Sequence, residues 1–149
     1  MHRQLKINGN YRTNFQIKKQ KIMPFVNIYL PAGFTQQVKT RISLLVHESL
    51  MSVFKIPEKD YFQVIHPVMA EHLIYPDNYL NVPHTANLIY IQVTCGPGRT
   101  IEMKQALYAL IAEKIAVSTP VSANDVIIVL TETGWENWSF GQGIAQMIK

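Results

Sequence analysis

The chain has 149 residues, 48% of them hydrophobic and 16% charged, which allows one domain with a proper core and is too short for two ordinary ones. No run of about 18 uncharged apolar residues is present, which excludes a transmembrane helix, and the first residues lack the apolar stretch of a secretory signal. The net charge of +4 is unevenly spread: residues 1–22 carry Arg3, Lys6, Arg12, Lys18, Lys19 and Lys21 and no acidic residue, so the rest has 14 − 6 = 8 Lys/Arg against 10 Asp/Glu, a balance of −2.

The basic leader, 1–22, reads in two ways. It is an arm for nucleic acid or acidic lipid, or it is a disordered tail or upstream sequence ahead of the working start. From Met23 onward the charge gives no reason to expect nucleic acid. One cysteine, Cys95, excludes an internal disulfide and fits a reducing compartment, so a cytoplasmic protein without a membrane segment is expected. The body, 23–149, is read as a single domain.

Pro24 heads the first strand, "PFVNIYL". Gly33 and Thr35 follow, the threonine suited to cap a helix whose stripe is Val38, Ile42, Leu45, Val46, Leu50 and Val53. "DYFQVI" returns as a strand. A linker rich in His, Pro and Asn, 66–88, is expected to be an ordered loop. "NLIYIQVT" is the next strand, Gly98 and Thr100 the next turn and cap, and Ile101, Leu107, Leu110, Ile111 and Ile115 the next stripe. "DVIIVLTE" is the last strand, and an aromatic tail, 131–149, closes the chain.

These elements form one unit written twice, about 24–65 and 89–130. Gly33 and Gly98 are 98 − 33 = 65 apart, and the same offset pairs Thr35 with Thr100, Lys39 with Lys104, Leu45 with Leu110, Glu48 with Glu113, Asp60 with Asp125 and Val64 with Val129. Each unit reads β-α-β, with its two strands parallel through a right-handed crossover. The expected fold is α/β in the broad sense (α+β): a tandem β-α-β repeat with a four-stranded mixed sheet and two helices on one face. The other face then lacks a cover, which predicts oligomerisation through it.

"MPFVNIYLPAG", "VHESLMSVFKIPEKDYFQV", "IQVTCGPGRTIEMKQALYALIAEKIA" and "ENWSFGQGIAQ" together resemble the tautomerase superfamily (4-oxalocrotonate tautomerase-like, with a tautomerase/MIF-like fold). The resemblance runs from Pro24 to the end and is strongest to the fused-repeat branch that includes malonate semialdehyde decarboxylase. It implies a homotrimer, a small carboxylate substrate, no cofactor, and an N-terminal proline as the catalytic group. Carried onto this chain, it implies catalytic roles for Pro24 and Asp60, substrate carboxylate binding by Arg99, and a pocket wall from Trp138 and Phe140. The decarboxylase pattern has two arginines flanking a proline. Here Gly96 and Gly98 flank Pro97, and Arg99 alone follows.

Plain alternatives stand beside these roles. Pro24 is otherwise a strand-edge proline, Asp60 a local cap like Asp125, and Arg99 a surface ion pair. "GPGRT" lacks the Gly-Lys-Ser/Thr ending of a phosphate loop. His2, His47, His66, His72 and His84 show no ligand spacing, so no metal is expected. Three functions follow: a tautomerase with Pro24 as general base, after start at or processing to Pro24; a decarboxylase or hydratase of the malonate semialdehyde type; and, with the leader retained, a non-catalytic trimeric binding protein.

Overall fold

The computed structural model describes residues 23–148; the basic leader lies outside the described residues. Strand β1 (Phe25–Pro31) leads to helix α1 (Gln36–Phe54) and strand β2 (Phe62–Val68). A short hairpin, β3 (Asn78–Tyr79) and β4 (Val82–Pro83), precedes strand β5 (Ile89–Cys95), helix α2 (Ile101–Ser118) and strand β6 (Val126–Glu132). Both helices start where their caps predict. Thr35 Oγ1 accepts from Val38 N at 3.2 Å and Thr100 Oγ1 from Met103 N at 3.1 Å, each satisfying an N–H that the first turn leaves free.

The main sheet has the order β2-β1-β5-β6, with β1 parallel to β2, β5 parallel to β6, and the central pair antiparallel. The repeat is visible in the register. Phe25 lies opposite Phe62 and Ile89 opposite Val126, so both parallel pairs have the same separation, 62 − 25 = 126 − 89 = 37. Asn27 lies opposite Gln92, its own counterpart 65 residues on, so a pseudo-twofold axis passes through that pair.

Alternation along the strands sends Val26, Ile28 and Leu30 of β1 and Ile91, Val93 and Cys95 of β5 into the core under the helices. Ile42, Leu45, Val46 and Leu50 of α1 and Leu107, Ile111 and Ile115 of α2 close it from above. Ile101 departs from the expected stripe: as the first residue of α2 it is 69% exposed. The linker is more structured than a loop, since its hairpin turns through Leu80 and Asn81 at φ 50 and 63. The sheet face away from the helices is open, with Phe25, Phe62, Val64 and Val129 all exposed. Its polar row is ordered: His66 Nε2 is 2.8 Å from Asn27 Oδ1, and His66 stacks on Tyr29. Among the described residues, no helix is long and apolar enough to cross a membrane.

Candidate active site

The strand directions bring one set of segments to a single end of the sheet. Strands β1 and β2 begin there, β5 and β6 finish there, and α1, running back across the sheet, ends there. Pro24, Asp60, the turn Gly96–Arg99 and the tail after Glu132 therefore share one end, although they are far apart in sequence.

Pro24 is buried at the head of β1. It lines a cavity of about 360 Å³ with Phe25, Phe62, Trp138, Ser139 and Phe140. Of the residues named from sequence, Pro24, Trp138 and Phe140 are thus brought together. Phe25 and Phe62 complete the wall from a direction that sequence reasoning missed. Parallel pairing sets them side by side on the same face, a relation that only the register supplies. Trp138 stacks on Phe140 at 5.6 Å, and Phe62 tilts against Phe140 at 6.4 Å. The tail holds this shape through its own bonds. Gln146 accepts from Phe140 N at 2.9 Å and donates to Gly141 O at 2.8 Å, folding the tail back at its positive-φ glycines.

Arg99 does not line that cavity; it is set into the sheet end beside the helices and is only 7% exposed. Its Nη1 donates to Gly96 O at 2.5 Å, its backbone N–H donates to Glu132 Oε1 at 3.2 Å, and Cζ lies 4.7 Å from the Phe54 ring centroid. Glu132 also pairs with Lys104 at 3.3 Å, so the turn is fastened from β6 and α2 together. Burial pushes the Arg99 guanidinium below its ordinary pKa, opposed by Cys95 and Glu132. Burial likewise pushes the Cys95 thiol up, with Arg99 pulling the other way.

The two glycines that stand where the decarboxylase pattern has arginines have separate physical reasons. A Cβ on Gly96 would collide with the Trp135 indole, so a side chain there has no space. Gly98 has φ +110, in the left-handed region where a side chain is strained.

The polar atoms left over are informative. Among the described residues, the buried side-chain atoms without a hydrogen-bond partner are Asp60 Oδ2, Arg99 Nε and Nη2, and Trp138 Nε1. Buried polar groups in folded proteins are nearly always paired, so an unpaired set calls for an explanation. All of these belong to residues at one end of the sheet. Arg99 Nε and Nη2 form one edge of the guanidinium, the edge that meets a carboxylate through two parallel bonds. Asp125, the repeat counterpart of Asp60, is satisfied instead: its oxygens accept from Thr85 N at 2.7 Å and Thr85 Oγ1 at 2.6 Å. His47 is structural in its contacts, stacked on Tyr61 at 4.0 Å with Nε2 2.8 Å from Glu58 O. Among the described residues, no group of three or more His, Cys, Asp or Glu side chains is placed to hold a metal ion.

A duplicated βαβ sheet with a buried proline and an aromatic-walled cavity at one end, and an arginine edge at that same end but outside the cavity, defines a small α+β protein. Two family profiles, each described as tautomerase enzyme, match this chain, one over residues 24–82 and the other over 60–141. The chain is 42% identical over 127 residues to probable tautomerase YusQ of Bacillus subtilis (strain 168), covering 85% of this chain and 100% of that protein. It belongs to the tautomerase family. Among solved structures it is similar to FG41 malonate semialdehyde decarboxylase inhibited by 3-bromopropiolate, at 34% identity and TM-score 0.76, covering 82% of this chain and 92% of that one. A fused 4-OT wild-type symmetric trimer shares the fold at 20% identity and TM-score 0.69, covering 83% of this chain and 96% of that one.

Proposed function

We propose that this protein is a tautomerase that moves a proton on a small 2-oxo or enol carboxylic acid, with Pro24 as general base once its nitrogen is free. The observation that carries this reading is the coincidence, at one sheet end, of the buried Pro24 with the unpaired buried atoms of Asp60, Arg99 and Trp138. In the full chain Pro24 nitrogen is an amide and has no basicity. As a terminal secondary amine against Phe25, Phe62 and Trp138, its charged form is disfavoured by desolvation, which suits a base near neutral pH.

The roles then follow from the chemistry of each group. The Nε/Nη2 edge of Arg99 takes the substrate carboxylate, and Trp138 Nε1–H donates to a substrate oxygen. Pro24 takes a proton from one position of the substrate and returns it to another. The unpaired Asp60 oxygen accepts from the protonated amine or from a water beside it. The start at Pro24 is supported by the family profile, which begins at that residue. It is also supported by the relative matched over its whole length, which leaves 149 − 127 = 22 residues of this chain outside, the number that precedes Met23.

A second reading, decarboxylation or hydration of a related three-carbon acid, is favoured by the 34% identity to a malonate semialdehyde decarboxylase. The single arginine of the turn supports the simpler proton transfer. A homotrimer is part of the proposal, supported by the trimeric relative of the same fold and by the open sheet face. The test compares the full chain with a protein beginning at Pro24, on phenylpyruvate, a 2-hydroxydienoate and malonate semialdehyde. Turnover of the first two only by the Pro24-terminal form, lost in Pro24→Ala, is expected. Arg99→Lys is expected to lower kcat/KM about 10- to 100-fold, mainly through KM, since an ammonium cannot form the paired bonds. Equal activity with the leader attached overturns proline catalysis, and preferential turnover of malonate semialdehyde selects the second reading.

A further inference from the structure

Arg99 is supported from below by a residue of the other repeat. Phe54, the last residue of α1, is 6% exposed, and its ring centroid lies 4.7 Å from Arg99 Cζ. In the guanidinium plane, Nη1 donates to Gly96 O. One hydrogen bond leaves the plane free to swing about that contact. A ring facing Cζ removes this freedom, because a planar cation is attracted to a π face. With the plane held, the direction of the unpaired Nε/Nη2 edge is set before any ligand arrives.

The duplication supplies an internal control. The repeat offset carries Arg99 to Phe34 (99 − 65 = 34) and Phe54 to Thr119 (54 + 65 = 119). Phe34 packs against the core, and the Thr119 hydroxyl donates to Ile115 O at 2.8 Å. At the pseudo-symmetric end of the sheet, a helix therefore terminates well without an aromatic ring. The cation and the ring beneath it occur together, at the end that also carries Pro24.

We propose that Phe54 is a positioning residue of the anion site, fixing the guanidinium plane of Arg99 so that its Nε/Nη2 edge meets the substrate carboxylate. This rests on the reading of Arg99 as the carboxylate binder. The experiment is a double-mutant cycle on the full chain, with phenylpyruvate as the probe and its Kd read by calorimetry. Phe54→Leu keeps an apolar side chain and removes the ring; it is expected to weaken binding about 5- to 30-fold, the range for a desolvated cation over an aromatic face. Phe54→Tyr is expected to restore wild-type binding. In an Arg99→Ala background, Phe54→Leu is expected to have no further effect.

Should Phe54→Leu fail to fold, Phe54→Met is carried through the same cycle. A Phe54→Leu protein that binds as tightly as wild type overturns the proposal, as does one that weakens binding equally with and without Arg99. Unchanged binding in Arg99→Ala alone removes the underlying reading of Arg99, a result distinct from either of these.

Discussion

Asp60 and Asp125 hold equivalent places in the two repeats and have opposite surroundings. Asp125 is 1% exposed and both its oxygens are bonded to Thr85, whereas Asp60 keeps a buried oxygen with no partner. Asp125→Ala strands the Thr85 N–H and is expected to lower stability by about 1–3 kcal/mol. Asp60→Asn is expected to leave stability within about 0.5 kcal/mol of wild type and to reduce turnover. Urea denaturation and a rate assay on the two variants separate these effects. Cys95 provides a pH test. Its raised pKa means that the folded chain keeps the thiol proton where the unfolded chain has lost it. The resulting stability is present below the ordinary thiol value of 9.0 and declines as pH rises past it. The stability difference between wild type and Cys95→Ala should therefore shrink as pH rises past the ordinary thiol value of 9.0, as read from urea midpoints.

At the scale of elements, the Gly96–Arg99 turn shows how one contact constrains a site. Trp135, on the turn after β6, fills the space a side chain at residue 96 would need. Gly96→Ala is expected to lower the melting temperature, through about 1–3 kcal/mol of overpacking. Its effect should reach Arg99, because the carbonyl that accepts from Nη1 belongs to the same residue. A Gly96→Ala protein with wild-type stability and phenylpyruvate binding would show that the indole moves aside freely. The element boundaries themselves follow from local chemistry. Thr35 and Thr100 cap both helices, and β-branched and aromatic runs form the strands. These signals act within a few residues, so they are legible without tertiary information.

For the whole molecule, the helices cover one face of the sheet and leave the other open. Val129 is 54% exposed on that face, and Val64 and Phe62 are exposed on β2 at the opposite edge of the sheet, three strands away. Apolar groups spread over an uncovered sheet are consistent with the homotrimer proposed above. In a trimer built through this face, Val129→Asp is expected to shift sedimentation from three chains to one, while circular dichroism keeps its wild-type shape. A trimer that survives the substitution would place the subunit interface elsewhere.

Sequence alone determined the four long strands, the two helices and their caps, which are periodic or local properties: alternation of two for strands, three to four for helices, and a short-range bond for a cap. It also carried the duplication with its 65-residue offset, while the list of candidate site residues came from resemblance to the tautomerase superfamily. The tertiary structure decided which members of that list differ from their repeat counterparts. It left Asp60 unpaired and satisfied Asp125, set Phe25 and Phe62 beside Pro24, and put the Phe54 ring under Arg99. The linker hairpin and the exposure of Ile101 were also tertiary outcomes. These are relations between residues brought together by strand register and helix direction, and no local pattern encodes the distance between side chains so far apart in the chain.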